Sequence, residues 1–258
     1  MKKFILFTTA LLVLGSSCLF AQNKHFTTNG IIEYEKSVNM YAVFQKIIDK
    51  DNEAWLQPAF DSYKKTQPQF RKLKSTLAFG NNKTLFTPIE PEAQGNTFFL
   101  DNPMVGQNNT VQTDLNTYTS IDQKKVFESV FLVKDSVRKI NWKITTETRE
   151  IAGFTCRRAN ALVLDSVYVV AFYTDDITVP GGPESFAGLP GMILGLAIPH
   201  ENVTWFATKV SEVPVDDKAL AAPKKGKAVD RKGLTATLTD VMKNWGNQSN
   251  IYLKAFIL

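Results

Sequence analysis

The run Ser75-Thr76-Leu77-Ala78-Phe79-Gly80-Asn81-Asn82-Lys83-Thr84-Leu85-Phe86-Thr87 places two alternating segments on either side of a Gly-Asn-Asn-Lys turn, and it reads as a β-hairpin. Similar texture extends downstream. Strands are expected at Leu115–Ile121 and Val126–Val133, crossing a polar turn at Asp122-Gln123-Lys124-Lys125. Asp135-Ser136 reads as another turn. Ile140–Ile144 alternates, Glu150–Phe154 and Arg157–Leu164 continue the meander, and Asp165-Ser166 turns the chain into the apolar strand Val167–Tyr173. Val203–Val210 is a further strand. Upstream, Ile32, Tyr34 and Val38 share one face of a strand at period two.

Helical spacing brackets this region. Phe44, Ile47 and Ile48, then Trp55, Ala59 and Tyr63, fall on helix faces; Pro58 is expected to kink or restart that helix and Gln67-Pro68 to end it. Pro88 to Thr113 is rich in Asn, Gly and Pro and reads as a surface loop. Pro214 to Gly233 reads as a loop carrying Lys224, Lys225 and Lys227. Leu234, Leu238, Val241, Met242 and Trp245 fit one face of a short helix, with Gly246 at its stop and Ile251–Leu258 as a last strand. The expected fold is β-rich α+β: a curved antiparallel meander, half-barrel or barrel-like, with helices near both ends.

The chain has 258 residues, 44% of them hydrophobic and 21% charged, the composition of a folded protein. Its formal charge of +5 includes Lys2 and Lys3, which open a leader of basic start, apolar Phe4–Leu14 and small residues before Gln22. Residues 1–21 therefore read as a cleaved signal peptide and 22–258 as a single domain. The charge then falls toward neutrality and gives no case for nucleic-acid binding. No segment of the mature chain is apolar and long enough to span a membrane. The expected location is export to the periplasm or outer membrane. Gly15-Ser16-Ser17-Cys18 resembles a lipoprotein box, which makes lipidation at Cys18 the alternative to soluble export. With Cys18 gone, Cys156 has no partner for an internal disulfide.

The passage Val179 to Leu196 differs from its surroundings. Gly188-Leu189-Pro190-Gly191 sets Pro then Gly at the centre of an expected type II turn, followed at once by apolar Met192-Ile193-Leu194. Gly188 to Leu194 resembles the signature of the GLPGLI family of exported Bacteroidota proteins, with Met192 in place of Leu. Trp142-Lys143-Ile144, Glu147 to Cys156, Ala171-Phe172-Tyr173-Thr174, Gly182-Pro183 and Phe186 resemble the segments around that signature, so the likeness runs from about 142 to 196. It implies an envelope location in a Gram-negative cell and no defined substrate or catalytic residue. Asp135-Ser136-Val137 and Asp165-Ser166-Val167 resemble the O-glycosylation signal of such exported proteins, which makes Ser136 and Ser166 candidate modification sites.

Candidate chemistry is sparse. Cys156 beside Arg157 and Arg158 could be a nucleophile with His25 or His200 as base, but buried strand cysteine is the commoner role. The two histidines have no metal-site spacing toward Asp175, Asp176 or Glu184. No serine-hydrolase elbow and no phosphate-binding loop occurs, and no cofactor is expected. The reading is an exported binding or accessory protein without catalysis, its apolar groove formed by Phe172, Tyr173, Gly188, Leu189, Pro190 and Gly191. Its occupant would be an apolar ligand or an envelope protein. An envelope hydrolase with an unrecognised site and a subunit of an outer-membrane assembly are the alternatives.

Overall fold

A computed structural model describes residues 25–90, 103–106, 109–246 and 248–258. The leader and Cys18 lie outside the described residues. Twelve strands form one sheet: β1 (Gly30–Asn39), β2 (Phe70–Gly80), β3 (Lys83–Pro88), β4 (Asn109–Asp114), β5 (Thr119–Val126), β6 (Ser129–Ser136), β7 (Lys143–Ile151), β8 (Phe154–Val163), β9 (Val167–Thr174), β10 (Met192–Ile198), β11 (Val203–Ser211) and β12 (Lys227–Val229). The spatial order is β12-β6-β5-β4-β3-β2-β1-β11-β10-β9-β8-β7. Two antiparallel meanders thus meet where β1 pairs with β11, and only β12 runs parallel to its neighbour. The β-rich α+β class with a curved sheet is what the sequence led one to expect.

Curvature follows from one connection. β6 and β7 lie ten places apart in the sheet, yet only residues 137–142 join them. Laid flat, ten strand spacings would separate them by about 48 Å. Seven Cα steps reach at most about 25 Å. The sheet therefore has to curl until its two margins approach, which makes an open bowl with an inner and an outer face.

The helices cap that bowl. α1 (Met40–Ile47) starts at Asn39, whose side chain accepts from the Ala42 N–H, and α2 (Glu53–Thr66) packs on it through stacked Phe44 and Phe60, with ring centroids 5.0 Å apart. α2 runs unbroken through Pro58, so the helix does not restart there. Pro58 sits on the solvent side, where water can take the Ala54 carbonyl that it leaves without a donor. α3 (Arg231–Val241) is capped by the Asp230 carboxylate, which accepts from Gly233 N–H at 2.7 Å. α4 (Gln248–Ile257) replaces the expected final strand. Phe256 packs there with Val126, Phe131, Leu234, Leu238 and Met242, a satellite core under the β5–β6 margin. No helix among the described residues is long and apolar enough to cross a membrane.

Two turns differ from the sequence reading. Leu115–Tyr118 is a turn and not the start of a strand, because Asp114 Oδ1 accepts from the N–H of Asn116 and Thr117. Asp122 to Lys125 consequently lies inside β5 and not in a turn. The Asn81-Asn82 hairpin is found as expected, with φ of 49° and 55°, the left-handed pair that suits the twist of two strands.

Between β9 and β10, neighbours in the sheet, the chain makes a long excursion over Asp175–Gly191. Ile177, Val179, Phe186, Ala187 and Leu189 are buried on it. Each such side chain removed from water contributes about 1.5–3 kcal/mol. Pro190 does not head a type II turn. The Gly191 N–H bonds back to Leu189 O at 2.8 Å, a three-residue turn about Pro190, and the Met192 N–H goes to Ile177 O. Gly191 has φ of 146°, and a Cβ there would lie 2.0 Å from the Thr174 carbonyl oxygen.

Gly191→Ala is therefore expected to lower stability by well over about 1 kcal/mol, since it adds a backbone collision to the conformational penalty. Gly153→Ala, at φ of 85° with nothing within 4 Å of its Cβ, carries the conformational part alone. Urea midpoints of the two variants check this. Equal losses would remove the close approach of Gly191 to Thr174 as the cause.

Candidate functional site

Alternation along the strands places charge inside the bowl. On β1 the buried face reads Ile32, Tyr34, Lys36, Val38, and Lys36 is 1% exposed. On β5 it reads Ser120, Asp122, Lys124, Val126, all buried. Lys36 Nζ donates to the Gly106 carbonyl and lies 4.9 Å from the Trp205 ring centroid. Asp122 accepts from Ser120 Oγ. Asn109, opposite Lys124 across β4 and β5, donates from its side chain to Glu184 Oε2 at 2.8 Å.

Glu184 sits on the excursion between β9 and β10, in the left-handed region at φ of 55°. A non-glycine residue held there costs of order 1–3 kcal/mol, which its surroundings must hold in place. Its carboxylate attracts both the Lys36 and the Lys124 ammonium. Burial pushes Lys36 down to about 8, against that attraction and with help from Arg71. Burial also lowers Lys124, opposed by Asp122 and Glu184 and reinforced by Arg138 and Arg231. A lysine near pH 8 carries some neutral amine under physiological conditions and can exchange a proton with a neighbouring group. The sequence reading passed over Lys36 and gave Asp122 and Lys124 to a turn. The signal that finds them is the same period of two that picked out Ile32, Tyr34 and Val38.

A second feature lies at the end of the bowl where the β2–β3 turn projects. A cleft of about 410 Å³ is lined by Thr28, Asn29, Gly80, Asn81, Asn82, Thr178, Val179, Pro214 and Val215. Asn81 donates to Asp217 at 3.3 Å and Asn82 to Asn116 at 3.2 Å, which fixes both amides.

The residues singled out from sequence fall elsewhere. Phe172 and Tyr173 are buried on opposite faces of β9, Phe172 beneath the Arg149 guanidinium at 5.8 Å. Gly188, Leu189, Pro190 and Gly191 belong to the packed excursion, where Trp142 Nε1 donates to Ala187 O at 3.0 Å. None of these six lines the cleft described above. Ser136, at the end of β6, is exposed and donates to Asp135; Ser166 is exposed and accepts from Lys254 Nζ at 2.9 Å. Cys156 is fully buried, and burial, with Glu150 and Asp176, pushes its thiol up to about 12, which removes it as a nucleophile. His25 pairs with Glu212 at 2.7 Å, and no group of three His, Cys, Asp or Glu among the described residues converges on a metal position.

A family model described as "N-glycanase peptide, N-terminal domain" matches residues 96–235. Among solved structures, PNGF-II in a C2 crystal form is similar over 84% of this chain and 33% of that one, with a TM-score of 0.50 and 16% identity. A P21 form of PNGF-II gives 0.49 and 17% over the same shares. At such identity the likeness concerns the fold, and this chain spans about a third of the length of PNGF-II. No curated protein matches. The match to an N-glycanase family overturns the expectation of a binding or accessory protein to which no catalysis is attached.

The buried lysines make stability depend on pH with a definite sign. Below pH 8 Lys36 is charged in both states, and its full burial penalty is felt. Between about pH 8 and the ordinary lysine value of 10.5 the unfolded chain keeps a proton that the folded chain has released, so stability rises with pH. The limiting slope for one group is about 1.4 kcal/mol per pH unit. Urea unfolding across this window is expected to show the rise, and Lys36→Met to reduce it. An unchanged profile in the variant would mean that Lys36 is not the group responsible.

Proposed function

The chain belongs to the N-glycanase peptide, N-terminal domain family, and from that premise we propose that it serves N-glycanase-type processing of N-linked glycoproteins. The observation that carries the reading is the family match over residues 96–235, which takes in β4 to β12, Asp122, Lys124 and Glu184. The GLPGLI-like signature at 188–194 lies inside the same span.

N-glycanase chemistry hydrolyses the side-chain amide of the glycosylated asparagine: water adds to the amide carbonyl carbon, the bond from that carbon to the glycan-bearing nitrogen breaks, and aspartate and a glycosylamine result. It needs a group to assist the attacking water and a group to protonate the leaving amine. Glu184 with Lys36 and Lys124 is the one set described above that joins a carboxylate to amines of lowered pKa. The substrate class also agrees with the leader at 1–21, which supports work outside the cytoplasm, in the periplasm or at the outer membrane.

The test is incubation of the protein with an N-glycopeptide and with its glycan-free counterpart. The glycopeptide alone is expected to shift backbone amide resonances. Mass spectrometry is expected to show conversion of glycosylated asparagine to aspartate with release of the intact glycan, and Glu184→Gln to slow that release at least tenfold. Failure of the glycopeptide both to bind and to be processed would overturn the reading.

A further inference from the structure

We propose that the cleft beside the β2–β3 turn is a saccharide site selective for neutral acetamido sugars; this rests on the N-glycanase reading and names the part of the substrate that the cleft receives. Its lining carries the hydroxyls of Thr28 and Thr178 and the side-chain amides of Asn29, Asn81 and Asn82. No titratable side chain lines it. The charged groups bordering the Asn81-Asn82 turn are spent on one another, with Lys83 3.8 Å from Asp114 and 4.0 Å from Asp217. A neutral ligand rich in hydroxyls suits such walls, and an anion or a cation does not.

The amides are already aimed. Asn81 and Asn82 both occupy left-handed backbone, their side-chain nitrogens donate to Asp217 and Asn116, and Leu115 N–H bonds to the Asn82 carbonyl at 2.9 Å. One N–H of each amide is thereby engaged within the protein, and the amide oxygen is an acceptor of the kind that a ligand N–H or O–H uses. An acetamido group offers such an N–H together with an acceptor carbonyl, which the Thr178 hydroxyl can meet. Its methyl and the C–H face of the sugar ring need apolar contact, which Val179 and Val215 supply. Pre-set donors and acceptors cost little ordering on binding. The cleft volume of about 410 Å³ lies in the range of about 300–1,000 Å³ usual for small-ligand sites.

The experiment is titration of the isotope-labelled protein with N,N′-diacetylchitobiose, using cellobiose as the neutral disaccharide without acetamido groups. Chitobiose is expected to move the amides of Thr28, Asn29, Asn81, Asn82 and Thr178, and cellobiose to bind at least tenfold more weakly. Thr178→Val removes one exposed hydroxyl at constant shape, and Asn29→Leu removes one amide. Each is expected to weaken chitobiose at least fivefold while the remaining spectrum stays folded. No shift, shifts confined to another face, or equal binding of both disaccharides would overturn the site. If chitobiose binds here while N-glycopeptides are neither bound nor processed, the saccharide site stands and the N-glycanase reading falls. If glycopeptides are processed with the cleft silent and both variants unaffected, the reading stands and this inference falls.

Discussion

The short connection between β6 and β7 is the constraint from which most of the architecture follows. Residues 137–142 must bridge strands at nearly opposite margins of a twelve-stranded sheet, and only a strongly curled sheet allows it. A curled single sheet has no second sheet to cover its inner face. The chain covers that face with its own connections: the excursion of Asp175–Gly191, the turn that brings Gly106 to Lys36, and α1. Trp142, the last residue of the bridging connection, donates to Ala187 on the excursion, so the bridge and the cover hold each other. Gly191 then has to return the cover to β10 directly over the Thr174 carbonyl, where no side chain fits.

Filling the bowl this way places charge where apolar residues would be expected. Lys36 and Lys124 are buried among Trp205, Phe131 and Val126, and the lowered pKa of each records an unfavourable transfer from water. Asp122 and Glu184 offset part of that cost and leave the lysines shifted all the same. A sheet with leucines at these positions would have a more stable interior. Local choices that work against stability, together with a strained Glu184, concentrate in natural proteins at sites where chemistry or recognition is performed.

Much of the fold was legible because its signals are local. The Gly80–Lys83 turn, the Asp165 turn, the strand Val167–Tyr173 and the α3 face all depend on residues close in sequence. The failures have physical causes. Ile251–Leu258 is an apolar run of a length that strand and helix share, and the satellite core around Phe131 and Leu238 decides for helix. Asp122-Gln123-Lys124-Lys125 has the composition of a turn, but Asp114 builds the turn earlier and shifts the strand onto the charged residues. The site was harder still. Lys36, Asp122, Glu184 and Asn109 are separated by up to 148 positions in the chain, and only the curl of the sheet makes them neighbours. The Gly/Pro signature was conspicuous for a different reason: it records how the cover packs, and its residues do not line the cleft beside the β2–β3 turn.

The excursion between β9 and β10 ties the charged centre to the neutral cleft. Thr178 and Val179 face the cleft, and Glu184 follows five residues later in the charged centre. Five Cα steps bound the distance from Val179 to Glu184 at about 18 Å, and the chain bends at Gly181-Gly182-Pro183 on the way, so the true separation is shorter. One segment thus contributes both to the neutral wall of the cleft, through Thr178 and Val179, and to the charged centre, through the Glu184 carboxylate. Midway along it Gly182 is wedged against Ile193 and the Phe186 carbonyl, with a Cβ there meeting both at 2.8 Å, so only a residue without a side chain lets the segment lie this close to β10.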